Sequence, residues 1–194
     1  MKNEESIVFK IFKEASFTKK EIDFIERIFQ KITLKKGDVL LKPNNLVNNQ
    51  YYISEGCLRA YFVEKTGKEH TVQFAIKDWW ISDYTAYFTS EKSIMSIECI
   101  QDATIYEVTK ENMERLYATI PKLETFFRLK LEKAFASFQK RILGYLSKSA
   151  TERYKIFREK YPNIEQSVKN YHIASYLGIT TESLSRIRKI ILNK

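Results

Sequence analysis

The 194-residue chain carries 33 Lys and Arg against 24 Asp and Glu, a net charge of +9, with 44% hydrophobic and 14% aromatic residues. Such a mixture can bury a core, and with 5 Gly and 3 Pro it excludes collagen-like, disordered and low-complexity chains. Lys, Glu or Asp breaks every apolar run short of the roughly 18 residues a membrane span needs, and the start Met1-Lys2-Asn3-Glu4-Glu5 lacks the basic, then apolar, pattern of a secretory signal.

Thr18-Lys19-Lys20-Glu21 has capping-box spacing and opens a predicted helix, with Ile22, Ile25, Ile28, Phe29 and Ile32 at helical intervals. From about Lys31 to Val108 the texture changes to short alternating runs: Ile32/Leu34, Val39–Leu41, Tyr51–Ile53, Leu58–Val63, Val72/Phe74/Ile76, Met95/Ile97/Cys99 and Thr104/Tyr106/Val108. Turn chemistry separates them at Lys36-Gly37-Asp38, Lys42-Pro43-Asn44-Asn45, Ser54-Glu55-Gly56 and Lys65-Thr66-Gly67-Lys68. Many short strands with frequent turns predict a sandwich, jelly roll or small barrel. Helical texture resumes at Thr109, and the order helix, strands, helices is an α+β pattern.

The longest helix is predicted to begin at Pro121, a residue suited to the first helical position. Leu123, Phe127, Leu131, Ala134, Phe138, Ile142 and Tyr145 follow at spacings of three and four, and Phe126, Leu129, Phe135 and Leu146 widen the stripe. A helix apolar on two sides must bury both. A symmetry mate would cover the second side, making Leu123, Phe127, Leu131, Ala134, Phe138 and Ile142 the expected dimerisation residues. Burial between two domains of one chain would satisfy the same pattern. Gly144 and Ser147-Lys148-Ser149 mark a hinge, and Ser149-Ala150-Thr151-Glu152 is a second capping box. The expected domains are 1–120, 121–147 for the long helix, and 148–194.

Charge concentrates at the end. From Lys148 onward there are 10 Lys/Arg and 4 Asp/Glu, against 23 and 20 in the first 147 residues. Within this basic quarter, Lys169 to Lys189 has the makings of two short helices joined by a tight turn. Ala174 offers a small residue at the crossing, Gly178 tolerates positive φ, and Thr180 is a good N-cap. On the second helix Leu184, Ile187 and Ile191 share one face, and Glu182, Ser185, Arg186 and Lys189 the opposite one, with Thr181 on a flank. An apolar side on its support and a polar side outward is what insertion into the major groove of double-stranded DNA requires. Arg186 can donate two hydrogen bonds to a guanine edge and Glu182 can accept from a cytosine amino group. Thr180, Thr181, Ser183 and Ser185 complete the expected base-edge and backbone contacts. Arg188, Lys189, Lys169 and Tyr171 suit phosphates, which add affinity without specificity; Lys148 and Arg153 are further phosphate candidates.

At these residues the chain resembles the Crp/Fnr family of bacterial transcription regulators, over nearly its whole length. Lys36-Gly37-Asp38-Val39-Leu40-Leu41, Tyr51-Tyr52-Ile53-Ser54-Glu55-Gly56-Cys57-Leu58-Arg59 and the Gly67 turn resemble the cyclic-nucleotide-binding fold, and Ala174 through Lys189 resembles that family's helix-turn-helix. The resemblance implies an N-terminal β-roll (jelly-roll) sensor domain, a long dimerisation helix and an all-α helix-turn-helix domain. It implies a homodimer on a near-palindromic operator, RNA polymerase as a partner, and a small-molecule effector that shifts the dimer between two states. Relatives that bind cyclic AMP hold it with a Gly-Glu pair and an Arg-Ser pair. Here Ser82, Asp83 and Tyr84 stand near the first and Lys92 and Ser93 near the second. These five are the candidate effector residues. Asp is shorter than Glu and Lys lacks the bidentate fork of Arg, so a cyclic nucleotide is not expected. No clear wing is expected after the second helix.

Other readings lead elsewhere. A cupin-like enzyme would need clustered ligands, and His70 and His172 lie in different predicted domains, His70 as a solvated strand residue and His172 on a helix surface or at a phosphate. No metal, cofactor or catalytic residue is therefore expected. A sensor acting only through protein partners would lack the basic helix pair. Cys57 and Cys99 are too few for a disulfide scaffold and lie in strand-like runs, which suits buried thiols in a cytoplasmic protein. Trp79, Trp80, Tyr84, Tyr87 and Phe88 form an aromatic-rich stretch, fit for core packing or an apolar effector pocket.

Overall fold

The alternating runs between Gln30 and Thr109 pair into one six-stranded sheet: β1 (Gln30–Leu34), β2 (Val39–Leu41), β3 (Asn49–Val63), β4 (Glu69–Ile76), β5 (Trp80–Ile81) and β6 (Ser96–Thr109). The structure, a computed structural model, describes residues 6–13 and 15–192. Strand β6 runs antiparallel to β1, β2 and β3, β5 antiparallel to β3, and β4 adjoins β3. The helices are α1 (Ile7–Ile11), α2 (Lys19–Ile28), α3 (Tyr84–Thr89), α4 (Lys110–Thr119), α5 (Lys122–Ser147), α6 (Ala150–Lys160), α7 (Ile164–Ser167), α8 (Asn170–Leu177) and α9 (Thr181–Leu192). The chain divides into two units, one running to Val63 and resuming at Val72–Leu123, the other comprising Glu64–Thr71 and the residues from Glu124 on.

In the first unit the apolar alternation closes a core of Leu34, Leu41, Ile53, Leu58, Ile97 and Ile105 with their neighbours. Sequence spacing suggested four short strands where the sheet has two long ones, because the expected turn at Ser54-Glu55-Gly56 is a bulge within β3. The register against β6 shifts at Ile53/Glu55, Glu55/Cys57 and Cys57/Leu58. Gly56 has φ +85°, and a Cβ there would lie 2.3 Å from the Asp102 carbonyl oxygen. A glycine therefore bends the paired strand instead of reversing it. Two helix boundaries also differ from expectation. The α2 capping box forms between Thr18 and Glu21, but the helix stops at Ile28 and Ile32 pairs with Ile105 in the sheet. Pro121 stays in the turn before α5, where the Leu123 N–H reaches the Ile120 carbonyl at 2.9 Å.

In the second unit Ser149 and Glu152 form the capping box that starts α6. Tyr154, Phe157, Ile164, Ile173, Leu177, Leu184 and Ile187 are buried together with Tyr161 and Tyr176, whose rings lie 5.2 Å and 5.6 Å from that of Phe157. Each such side chain contributes roughly 1.5–3 kcal/mol by leaving water. Short helices too brief to stand alone are thus held by a common aromatic centre. Ser175 on α8 accepts from the Thr71 N–H at 2.8 Å and donates to the Glu69 carbonyl at 2.7 Å.

Candidate nucleic-acid interface

Helix α8 ends where Gly178 adopts φ 64°, and the Ile179 N–H closes the cap on the Ala174 carbonyl at 3.0 Å. A Cβ on Gly178 would approach the Tyr145 ring to 3.3 Å, so space and backbone both favour glycine. Ala174 is buried, as a close crossing requires. Thr180 Oγ1 accepts from the Ser183 N–H at 3.2 Å, capping α9. Leu184 and Ile187 pack inward from α9, which fixes what remains outside: Glu182, Ser185, Arg186 and Lys189 are exposed, as is Thr180, with Thr181 half-buried.

Electrostatics divide this face. The Glu182 carboxyl is held below its ordinary value of 4.5, first by its own backbone N–H and then by the Thr180 and Thr181 hydroxyls. It is an anion at a helix N-terminus, where the dipole favours it. Arg186 is exposed one turn on, with Nη2 donating to Ser183 Oγ at 3.2 Å. Acceptor and fork therefore sit side by side on a rigid support. Ser183 is spent differently from expectation, since its N–H serves the cap and its hydroxyl receives Arg186. Ile190, which sequence reasoning passed over, is 54% exposed four residues beyond Arg186. Its neighbour Ile191, in the apolar set, was a partial signal that the apolar stripe is wider than the core needs.

Three of the basic or imidazole residues depart from the expected roles. Arg188 is turned inward, with Nη1 donating to Asn170 Oδ1 at 2.7 Å and Nε to the Tyr154 hydroxyl at 3.1 Å, because carboxylate and phenol acceptors wait beside it. Arg153 donates to the Lys148 carbonyl at 2.7 Å and the Leu177 carbonyl at 3.3 Å, satisfying helix-end acceptors. His172 is buried, its ring 3.9 Å from that of Tyr171, since it falls on the inner side of α8. Lys169 and Tyr171 are exposed at the start of α8, the ammonium 5.6 Å from the ring.

The candidate effector residues lie in the first unit. Asp83 and Ser93 come together: Asp83 Oδ2 accepts from Ser93 Oγ at 2.9 Å and the Ile94 N–H at 3.2 Å, and Oδ1 from the Ala86 N–H at 3.2 Å. Ser82 donates to the Asn49 carbonyl at 2.8 Å, and all three are buried. Lys92 is exposed. Tyr84 donates to Gln50 Oε1 at 3.3 Å and stacks on Phe88, and burial pushes its phenol well above the usual range. The aromatic stretch divides, for Trp80 lies against Tyr52 and Phe29 while Tyr84, Tyr87 and Phe88 form their own cluster. A cleft of ≈ 440 Å³ opens elsewhere, lined by Phe9, Lys10, Lys13, Tyr52, Lys77 and Asp78 among others.

Among the described residues no three His, Cys, Asp or Glu gather as a metal site, and His70 faces Glu64 at 3.0 Å. Burial pushes the Cys57 thiol up to about 12 and that of Cys99 up to about 11. On α5, Leu123 is buried within its own chain, so it cannot meet a partner, and Phe127 is half-buried. Leu131, Ala134, Phe138 and Ile142 are exposed, as are Phe135 and Leu146. Among the described residues no helix is long and apolar enough to cross a membrane.

A β-roll followed by a helix-turn-helix with an outward polar face is an arrangement also found among known proteins. Residues 31–119 match the cyclic nucleotide-binding domain family. The anaerobic regulatory protein of Haemophilus influenzae is 23% identical over 186 residues, covering 89% of this chain and 71% of its own. The structure of FixK2 from Bradyrhizobium japonicum superposes with a TM-score of 0.73 at 15% identity, covering 86% of this chain and 85% of that one. A Crp/Fnr-family regulator from Eubacterium rectale gives 0.68 at 17% identity, covering 91% and 84%. Over most of its length the chain is thus similar to bacterial regulatory proteins, one of them of the Crp/Fnr family.

Proposed function

We propose that this protein is a sequence-specific, double-stranded-DNA-binding transcription regulator that acts as a homodimer on a near-palindromic operator, without catalytic activity. The observation that carries the reading is the α9 face, where Glu182, Ser185 and Arg186 stand outward on a helix whose other side is buried. Lys189, Lys169 and Tyr171 supply the phosphate contacts that fix its register. The dimer is supported by α5, whose exposed Leu131, Phe135, Phe138 and Ile142 recur at spacings of four, three and four. That is the seam of a two-stranded coiled coil, and it would set two recognition helices one DNA turn apart. Such a dimer would work in the cytoplasm, with RNA polymerase as the partner that reads its position.

The reading includes no response to cyclic AMP. Asp83 already accepts three hydrogen bonds from its own chain, and Lys92 lacks the fork that grips a phosphate. An effector of other chemistry would act by binding one of two dimer states better than the other. Selection of bound duplexes from a random pool, repeated with Arg186→Ala, tests the proposal. A near-palindrome should emerge, and the variant should lose roughly 1–3 kcal/mol and relax one position per half-site. Indifference of the unaltered protein to every duplex at low salt would overturn it. Phe138→Glu should yield monomers in sedimentation.

A further inference from the structure

Arg188 lies on the flank of α9 between the outward face and the buried seam, and neighbouring helices occupy its guanidinium. Nε donates to the Tyr154 hydroxyl of α6 at 3.1 Å and lies 3.3 Å from Glu165 Oε1 of α7, while Nη1 donates to Asn170 Oδ1 of α8 at 2.7 Å. Nη2 has no exposed surface. The Tyr154 hydroxyl also donates to Glu165, whose other oxygen holds Arg158 at 3.0 Å. One carboxylate and one planar fork thus tie α9 to the three helices before it. A lysine, with a single point charge, could not span these acceptors.

Such a tie controls rotation. Turning a helix of about 5–6 Å radius by roughly 20° carries a side-chain tip about 2 Å sideways, beyond what a hydrogen bond to a base edge tolerates. We propose that Arg188 is a positioning residue: with Glu165, Tyr154 and Asn170 it sets the rotation of α9, and so the aim of Glu182, Ser185 and Arg186, without touching DNA. This rests on the DNA-binding reading and deepens it. It also separates Arg188 from Lys189, its neighbour in sequence, which is exposed and free to meet a phosphate.

The experiment uses the full chain and a duplex obtained by selection, with affinities for it and for an unrelated duplex measured across a salt series. Arg188→Gln should cut the preference between the two roughly tenfold while leaving the salt slope and the unrelated-duplex affinity unchanged. Glu165→Gln should do the same, although removing an acid near DNA would otherwise strengthen binding everywhere. Arg188→Lys should fail to restore the preference. A phosphate contact would behave oppositely: the slope would fall by about 0.9 with Arg188→Gln and Lys would rescue it, and that result overturns the proposal. Thermal unfolding without DNA provides the second arm. The Glu165→Gln/Arg188→Gln double variant should melt no lower than the worse single variant, and additive losses overturn the strut. If the unaltered protein prefers no duplex, the DNA-binding reading itself falls, while the unfolding cycle still decides whether the strut exists.

Discussion

Asp83 and Glu182 are carboxylates in the two units, each marked by the sequence as a recognition residue, and the fold uses them in opposite ways. Asp83 is buried under three donors from its own chain. Glu182 is exposed at the head of a helix, its charge held by local N–H and hydroxyl groups that leave it open to a partner. A buried carboxylate whose hydrogen bonds are made contributes shape; an exposed one on a rigid support is open to a partner. The same contrast holds between Arg188, spent on neighbouring helices, and Arg186, two residues back on the exposed face of α9.

The largest effect expected from that contrast is on Asp83. Asp83→Ala takes the acceptor from the buried Ala86 N–H and Ser93 hydroxyl and should cost about 3 kcal/mol, read as a lowered unfolding midpoint with no ligand present. An unchanged midpoint would move Asp83 out of the structural role assigned to it. Next comes Glu182→Gln, which should leave the unfolding midpoint unchanged yet cut discrimination roughly tenfold at one base pair per half-site. Equal losses against all duplexes would make Glu182 a structural cap and erase the comparison.

The two thiols extend the comparison to the sheet interior. Burial raises Cys57 to about 12 and Cys99 to about 11 from an ordinary value of 9.0. Neither should react appreciably with iodoacetamide at pH 8 while the chain is folded, because the thiolate is the nucleophile. Groups raised in the folded state contribute their stability in full below the unfolded value of 9.0 and lose it as pH climbs towards 11 and 12. Unfolding midpoints should therefore decline above pH 9 and less so in a Cys57→Ala/Cys99→Ala variant.

What could be read from the sequence follows the range of the interactions. Capping boxes at Thr18 and Ser149, the Gly178 turn and the inward set Leu184 and Ile187 are local, and they stand as expected. The outward polar face of α9 followed from them, since a buried stripe fixes its opposite. Gly56 was misread because a turn and a bulge ask for the same residue, and only the approach of Asp102 from a distant strand distinguishes them. The packing of Arg188 was out of reach for the same reason: its acceptors come from Tyr154, Glu165 and Asn170, far back in the chain. Leu123 looked like the first member of the dimer stripe, but it is buried at the start of α5.

The smallest expected effect is also the most specific to Glu182. Its depressed value means the charged form persists, so its contribution is present above the ordinary 4.5 and is lost only as pH falls through the lower folded value. An ordinary glutamate is partly protonated at pH 5, and a base preference resting on one would weaken perceptibly between pH 7 and pH 5. Here the preference should hold across that window, measured as the affinity ratio of the selected duplex to one altered at the Glu182 position. Thr180→Ala and Thr181→Ala remove hydroxyls that hold the charge, and should bring the weakening back into the window. If the ratio fell in the unaltered protein, the carboxylate would be less held than the exposed face implies, and Glu182 and Asp83 would differ in burial alone.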